Sequence, residues 1–476
     1  MSTDSFPLRV RPDQRKRFGR INGGLILVLA VIAGGLGIAN AAQGPRLISA
    51  EVNPNALTTR DGQRLMLHLN QPLSDSSPVQ VSISPEAPIE VTVNQNSVTI
   101  RFTRMLDYNT TYTASVEAHS AATGIAGRID YTFATADVDV YSLRRDTPQD
   151  ANSQDPPDKI LLNKLSGITP QEVAFESTRI QSYVVLRDQL GVITLDPNDV
   201  PSLIVTSPIA GTQIDIDLAG ARTIEELHAA DTGDLFGYIL DDGSGDKNGL
   251  RNRLFLYDLS ASSGVPAAVT GFAQKPLSVM DWMFVPGTTS VVVQDEDLQL
   301  YLIDGLEGGE PTPLGGHAEM RGFIPGTLKL VVADPESGSV IDLSAGTTTT
   351  LNLPVPEDVP DYYPGKLELL AADSYVLLNS TYTPGAPSAS VLVLTDPDGS
   401  RELFRTTSAG SRVRNFCLSP NGEFLAVEVI SGEGVPDEYP VESGYSATSI
   451  YFVRVDDGTS NRGVNGFLPN WCGSSN

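Results

Sequence analysis

Four histidines, His68, His119, His228 and His317, are the side chains best suited to proton transfer or metal ligation near neutral pH. They lie far apart, and none stands in an H-E-x-x-H or other ligand spacing, so each reads as a scattered surface or half-buried histidine. No G-x-S-x-G elbow, phosphate-binding loop or dinucleotide fingerprint occurs. One loop, Asp241-Asp242-Gly243-Ser244-Gly245-Asp246-Lys247-Asn248-Gly249, offers oxygen ligands at alternate positions: Asp242, Ser244, Asp246 and Asn248. That spacing suits Ca²⁺, a hard cation held by oxygen. Against it, Lys247 stands where a calcium loop needs Gly, and Arg253 where it needs a bidentate Glu. A polar hairpin loop is the favoured reading, with Ca²⁺ as the alternative and no other metal or cofactor implied.

Paired carboxylates are the remaining route to chemistry, and which of them can pair depends on the elements that carry them. The stretch RNFCLSPNGEFLAVEV, Arg414 to Val429, reads as strand, Asn-Gly turn, strand. Aligning the chain on it places inner-strand starts near Glu172, Ile224, Val279, Glu319, Lys366 and Val413, 40–55 residues apart. Each unit continues with an apolar second strand, such as YVVL at Tyr183–Leu186 or LFGYIL at Leu235–Leu240. A third strand commonly follows and ends in an acidic turn, as in RLFLYDL and SIYFVRVDDG. A repeat of that length built from four short strands is the pattern of a propeller blade. LSPNGEFLAVEV followed by SIYFVRVDDG also resembles the TolB-like, WD-like propeller repeats of exported bacterial proteins. That resemblance implies the fold over roughly residues 138–472, and propellers host many functions.

Six units precede GFLPNWC, Gly466–Cys472, which reads as one more inner strand. DVYSLRRD (Asp139–Asp146) reads as a third strand and KILLNKL (Lys159–Leu165) as a fourth, so a seventh blade is expected from both ends of the region. Closure of that kind removes exposed sheet edges. Cys417 and Cys472, the only cysteines, occupy matching positions in the repeat. In an oxidising compartment a disulfide between them would reinforce the seam, the alternative being two buried thiols. The loops Asp146–Asp158, Val355–Gly365 and Ser431–Ser446 are read equally as binding loops or as insertions without a role. In the channel, Glu172, Glu225, Glu226, Asp281 and Glu319 are the inner-strand acids available for acid–base work.

Upstream, residues 44–136 alternate apolar and polar residues in short runs: Leu65–Leu69, Val79–Ile83, Ile89–Val93, Val98–Phe102, Tyr112–Ala118 and Ile129–Ala136. Several such strands within about 90 residues indicate a small β-sandwich. Val52-Asn53-Pro54, HLNQPLS at His68–Ser74, VTIRFTRMLDYNTTYTASVEA and YTFATA resemble bacterial Ig-like domains, which implies a spacer or adhesion module. Tyr112 is read as an ordinary core residue in preference to a sheet-corner one.

Gly23 to Ala42 carries no charge for twenty positions, long enough for a helix to span a bilayer. Six basic residues against two acidic ones precede it, so the remainder is expected outside the cytoplasmic membrane. A retained anchor is favoured over cleavage between Ala41 and Ala42, which would give a secreted protein. The net charge of −26 repels nucleic acid and anionic lipid headgroups.

The expectation is therefore an all-β exported protein: basic tail 1–22, anchor 23–42, Ig-like sandwich 44–136 and a propeller over 137–476, with seven blades favoured over six. Its expected role is non-enzymatic binding or scaffolding of a protein or cell-wall component. The alternative is an envelope-glycan enzyme using channel carboxylates.

Overall fold

The computed structural model describes residue 28 and residues 43–146, 156–167, 171–209, 211–246, 249–261, 264–306, 308–335, 337–355, 359–383, 386–460 and 463–473. The apolar stretch 23–42, apart from Val28, and the Ala41/Ala42 cleavage position lie outside the described residues. Among the described residues no helix is long and apolar enough to cross a membrane. The chain divides into two compact units, Met1–Ala136 and Asp137–Asn476.

The first unit holds two antiparallel sheets. One contains Leu47–Glu51, Arg64–Leu69, Ser97–Phe102 and Ile89–Asn94 in that spatial order, the other Gln80–Ser84, Thr111–His119 and Ala126–Ala134. Alternation dictates which side chains turn inward. Leu65, Leu67 and Leu69 from one strand, and Val98, Ile100 and Phe102 from its neighbour, meet Tyr112, Ala114, Val116 and Phe133 in one core. Tyr112 plays both roles weighed for it. Its ring stacks on Phe133 at 5.8 Å, and its hydroxyl accepts the Asp107 N–H at 3.2 Å.

The second unit holds seven antiparallel sheets in chain order among the described residues. The first contains Asp139–Arg144, Asp158–Lys164 and Glu172–Ser177. Each of the other six has four strands, beginning with Ile180–Val185, Thr223–Ala229, Val279–Phe284, Glu319–Phe323, Tyr363–Ala371 and Arg412–Leu418. Hydrophobic cores lie between successive sheets. Val184, Ile193 and Leu203 of the second sheet pack with Phe236 and Tyr238 of the third, and Leu254 and Leu256 of the third with Trp282 and Val291 of the fourth. First strands adjoin one another from sheet to sheet, as Ile180–Val185 does Thr223–Ala229 and Tyr363–Ala371 does Arg412–Leu418. Sheets packed face to face around adjoining first strands are propeller blades.

The seam is built from both ends of the unit. Leu143 and Phe467 exchange backbone hydrogen bonds of 2.8 and 2.9 Å, and the Tyr141 N–H donates to Asn470 Oδ1 at 2.8 Å. Phe467 is buried among Leu143, Ile160, Ile180 and Val192. Gly466 makes the turn into this position at φ +136°, where an added Cβ would lie 2.8 Å from the Leu143 carbonyl oxygen.

The strand assignments around the seam shift by one place, and YVVL at Tyr183–Leu186 falls on an inner strand instead of a second one. Asp139–Arg144 and Asp158–Lys164 are the second and third strands of the closing blade, not the third and fourth, because Glu172–Ser177 pairs with Asp158–Lys164 as its outer strand. The inner strand of the next blade is therefore Ile180–Val185, and Glu172 lies exposed on an outer edge, away from the channel. The burial of these strands explains the shift. Outer strands are open to solvent, as in the exposed run Thr347–Thr350, and EVAFES carries that exposed signature.

Candidate binding cavity at the inner strands

A cavity of about 550 Å³ opens against the first strands of the second, third and seventh blades. Glu225, Glu226 and His228 line one side, while Arg414, Asn415 and Asn470 line another. The acidic side is positioned by neighbouring strands of the third and fourth blades. Glu226 takes a left-handed backbone conformation, φ +48°, at the irregularity in its strand. A non-glycine residue held there costs about 1–3 kcal/mol and needs support. Trp282, fully buried, supplies it by donating its indole N–H to the Glu226 carbonyl at 3.1 Å, and its ring meets His228 edge-on at 5.2 Å.

The carboxylates differ in proton affinity. His228 Nε2 lies 3.1 Å from Glu226 Oε2 and holds the Glu226 carboxyl below its usual range. Asp281 moves the other way. Burial, and then the charge of Glu226, push its carboxyl up to about 6, although its Oδ1 accepts the Trp282 N–H at 2.7 Å. Glu225 is also raised, by burial and by Glu226. Glu319 acts on Asp281 only as a weaker distant charge and lies against Arg321 at 3.3 Å. Of the five acids expected in the channel, Glu226 acts on both Glu225 and Asp281, Glu319 sits at the margin, and Glu172 is elsewhere.

The basic side is already paired. Arg414 contacts Glu428 at 2.7 Å, and also Glu442, and donates to the Ser443 carbonyl at 3.0 Å. Glu428 is completely buried, and its second oxygen accepts the Leu468 N–H at 2.9 Å. Burial raises the Glu428 carboxyl, with Arg414 and the Leu468 N–H opposing. The Tyr183 hydroxyl donates to the Leu468 carbonyl at 2.7 Å. Together these fix the chain end against two inner strands.

The loop Ser431–Ser446 belongs to the same assembly. Asp437 pairs with Arg145 at 2.7 Å, and the Tyr439 hydroxyl donates to Asp158. The guanidiniums of Arg145 and Arg179 lie 3.5 and 4.8 Å from the Tyr439 ring centroid. Arg145 donates further to the carbonyls of Ile180, Gln181 and Glu442. Val441 and Glu442 reach the cavity wall, so this loop is a tied-down strap across the seam. In Val355–Gly365 the described part places Tyr362 against Arg405, whose Nη1 donates to its hydroxyl at 3.1 Å. Asp158, at the end of Asp146–Asp158, is buried at the seam and also accepts the Ile180 N–H at 2.7 Å.

The remaining candidates do not converge. His68 faces Glu51 at 3.6 Å, and His317 contacts Asp334 at 3.0 Å in the fifth blade. In the Asp241–Gly249 loop, Asp242 Oδ1 accepts the Ser244 N–H and Oδ2 the Leu250 N–H, while Ser244 Oγ accepts the Asp246 N–H. These are turn-forming bonds that a cation would have to compete with. Asn248 lies outside the described residues. Among the described residues no group of three His, Cys, Asp or Glu is placed to hold a metal.

Arg145 and Glu428 were not anticipated from the sequence, while Asp158 and Tyr439 lay in loops singled out there with no contact assigned to them. Glu428 carried a legible signal, a lone acid within the apolar strand FLAVEVI. The others depend on contacts spanning hundreds of residues.

No family model matches the chain, and no curated protein matches it. Among solved structures it is similar to a dihydro-heme d1 dehydrogenase, NirN, at 13% identity over 69% of this chain and 74% of that one, TM-score 0.39. TolB from Acinetobacter baumannii aligns at 11% identity over 82% and 81%, TM-score 0.36. A putative 6-phosphogluconolactonase from Bacteroides fragilis aligns at 11% over 70% and 96%, TM-score 0.38. The propeller assignment rests on the sheet pairing above.

Asp281 gives a pH signature. Its carboxyl rises from 3.8 to about 6 in the fold, so the folded state binds its proton more tightly than the unfolded chain does. The resulting stabilisation is complete below the unfolded value and is lost as pH rises through about 6. Asp281→Asn, which keeps the acceptor for Trp282, is expected to be more stable than the parent at pH 8 by at most about 2–3 kcal/mol. The difference should vanish near pH 4, as read by denaturant titration at each pH.

Proposed function

We propose that this is an exported, membrane-anchored binding or scaffolding protein whose propeller cavity holds a protein or cell-envelope component. The supporting observation is the cavity itself. Its polar groups are aligned in advance on inner strands, beside a seam fixed by buried ion pairs, and rigid prealigned groups lower the entropic cost of binding. In this reading residues 23–42 anchor the chain, and the sandwich of residues 44–136 is an Ig-like spacer carrying the propeller. A photo-crosslinking residue at Val441, on the cavity wall, is expected to give a discrete adduct in envelope membranes. Glu225→Gln/Glu226→Gln should abolish it. The same adduct from a probe at Thr348, on an outer strand, would overturn the reading.

The Cys417–Cys472 disulfide belongs to the same proposal. Cys417 is fully buried, and the short helix Asn470–Gly473 packs against its strand. Non-reducing peptide mapping should return the two cysteines in one linked peptide. Two alkylatable thiols would exclude the bond.

One observation favours a second reading, an enzyme acting on envelope glycan: Asp281 and Glu226 are pushed apart in proton affinity, as an acid and a base at one site must be. Glycan cleavage should then fall as pH rises above about 6 and be lost in both Asp281→Asn and Glu226→Gln. Absence of cleavage by the parent protein removes this reading and leaves the binding one standing.

A further inference from the structure

In the first unit, Ile89–Asn94 is the edge strand of the four-stranded sheet, and every residue of it from Glu90 on is exposed. Its register fixes what that edge presents. Val91 lies opposite Ile100 and Val93 opposite Val98, so both valines share the face on which Ile100 and Val98 are completely buried. Yet Val91 and Val93 are 39% and 42% exposed, and the core reaches only Ile89 on this strand. The sandwich stops short of its own edge and leaves an apolar ledge there. The backbone is open as well. The two-residue turn Gln95-Asn96 makes Asn94 and Ser97 a hydrogen-bonded pair, and alternation does the same for Thr92 with Thr99 and Glu90 with Arg101. The N–H and C=O groups of Ile89, Val91 and Val93 therefore point off the sheet, and none has a partner among the described residues.

Sheet edges are normally guarded against pairing with another chain, by bulges, prolines or charges. The other three edges of this unit carry such guards. Leu47–Glu51 has an irregularity between Leu47 and Ser49, Gln80–Ser84 is bounded by Pro78 and Pro85, and Ala126–Ala134 carries Arg128 and Asp130. Ile89–Asn94 has no proline, lysine or bulge, and its one charge, Glu90, is already paired with Arg101 at 2.8 Å.

We propose that Ile89–Asn94 pairs antiparallel with the same strand of a second copy of this chain, joining their two sheets into one. The strand is complementary to itself. A two-fold axis at Val91 sets Val91 opposite Val91 and Ile89 opposite Val93 on both sides, so all three outward residues exchange backbone hydrogen bonds. Glu90 then faces Thr92, no like charges meet, and the two ledges become one apolar strip. An axis at Thr92 would instead set Ile89 against Gln95, whose left-handed backbone, φ +43°, has left the strand. Charge also favours a copy meeting here. Residues 44–136 carry eight acidic against six basic residues, whereas residues 137–476 carry forty-eight against twenty. Repulsion between two identical chains is therefore least at the sandwich. This surface is independent of the inner-strand cavity and of the function proposed for it.

The test is oxidative crosslinking of the full chain, as cysteine variants, in the cells that express it. Val91→Cys should give a disulfide-linked dimer, because its two copies would sit directly opposite with Cα atoms about 5.5 Å apart. Val93→Cys, whose two copies would lie about 14 Å apart, should give about a tenth as much. An edge this short belongs to the weak class of interfaces, so the purified full chain is examined by sedimentation at about 100 µM. The parent should sediment as a dimer there, and Val91→Lys, a change at an exposed position, as a monomer. A monomeric parent, equal yields from Val91→Cys and Val93→Cys, or no linked dimer from Val91→Cys would overturn the assignment. So would a linked product containing a different protein, which would give the edge to a partner's strand.

Discussion

The second unit depends on a single pairing, the reciprocal backbone bonds between Leu143 and Phe467. Without them the first sheet would present an open edge and the seventh would have no neighbour to pack on. Two strands held by so few bonds are marginal alone. The surrounding side chains make up the difference: Phe467 fills the space between the first and second blades, and Glu428 fastens the next residue, Leu468, from beneath. Buried ion pairs such as Arg414–Glu428 contribute little net stability, since desolvation offsets their attraction. Their effect here is on choice of partner. An isolated Glu428 or Arg145 would be strongly destabilising, so the network penalises any arrangement in which strap, chain end and first blade are out of register.

That network also determines the character of the cavity. Arginine reaches its wall only with its charge already balanced by Glu428 and Glu442. Opposite, His228 is the basic group acting on Glu226 and Asp281 among the described residues, and none acts on Glu225, so the cavity keeps a negative bias. The same crowding separates Asp281 from Glu226 in proton affinity. Both consequences follow from placing several carboxylates on adjacent inner strands, where the blades converge and solvent is reduced.

Much of this architecture was legible in the sequence because blade strands differ in exposure. Middle strands such as FLAVEVI are buried on both faces and read as apolar runs, and turns such as Pro420-Asn421-Gly422 mark the register. Val279 and Glu319 begin inner strands where the repeat placed them, and Phe467 closes the ring as expected. The error at Glu172 arose where the repeat is broken by its own closure, since the closing blade takes its inner strand from far along the chain. The site was less legible. Acidic residues are plentiful, and only the fold distinguishes Asp281, beneath Glu226, from Glu172 on an outer edge. The strap's function was invisible for a related reason: an acidic, tyrosine-bearing loop looks the same whether its carboxylates meet solvent or arginine.

The composite first blade has a consequence for how the chain acquires its structure. Leu143 and Phe467 are more than three hundred residues apart, and their pairing closes a loop that contains every intervening blade. A chain made from its N-terminus therefore carries an unfinished sheet until the segment around Phe467 arrives. During that interval the apolar side chains of Leu143 and Ile160 lack the cover that Phe467 later provides. Contacts between ends so distant form slowly, because loop closure comes before any reward from packing. The segment beginning at Phe467 thus acts as a completeness check: a chain lacking it retains most of its blades yet exposes an open sheet edge, a template for aggregation.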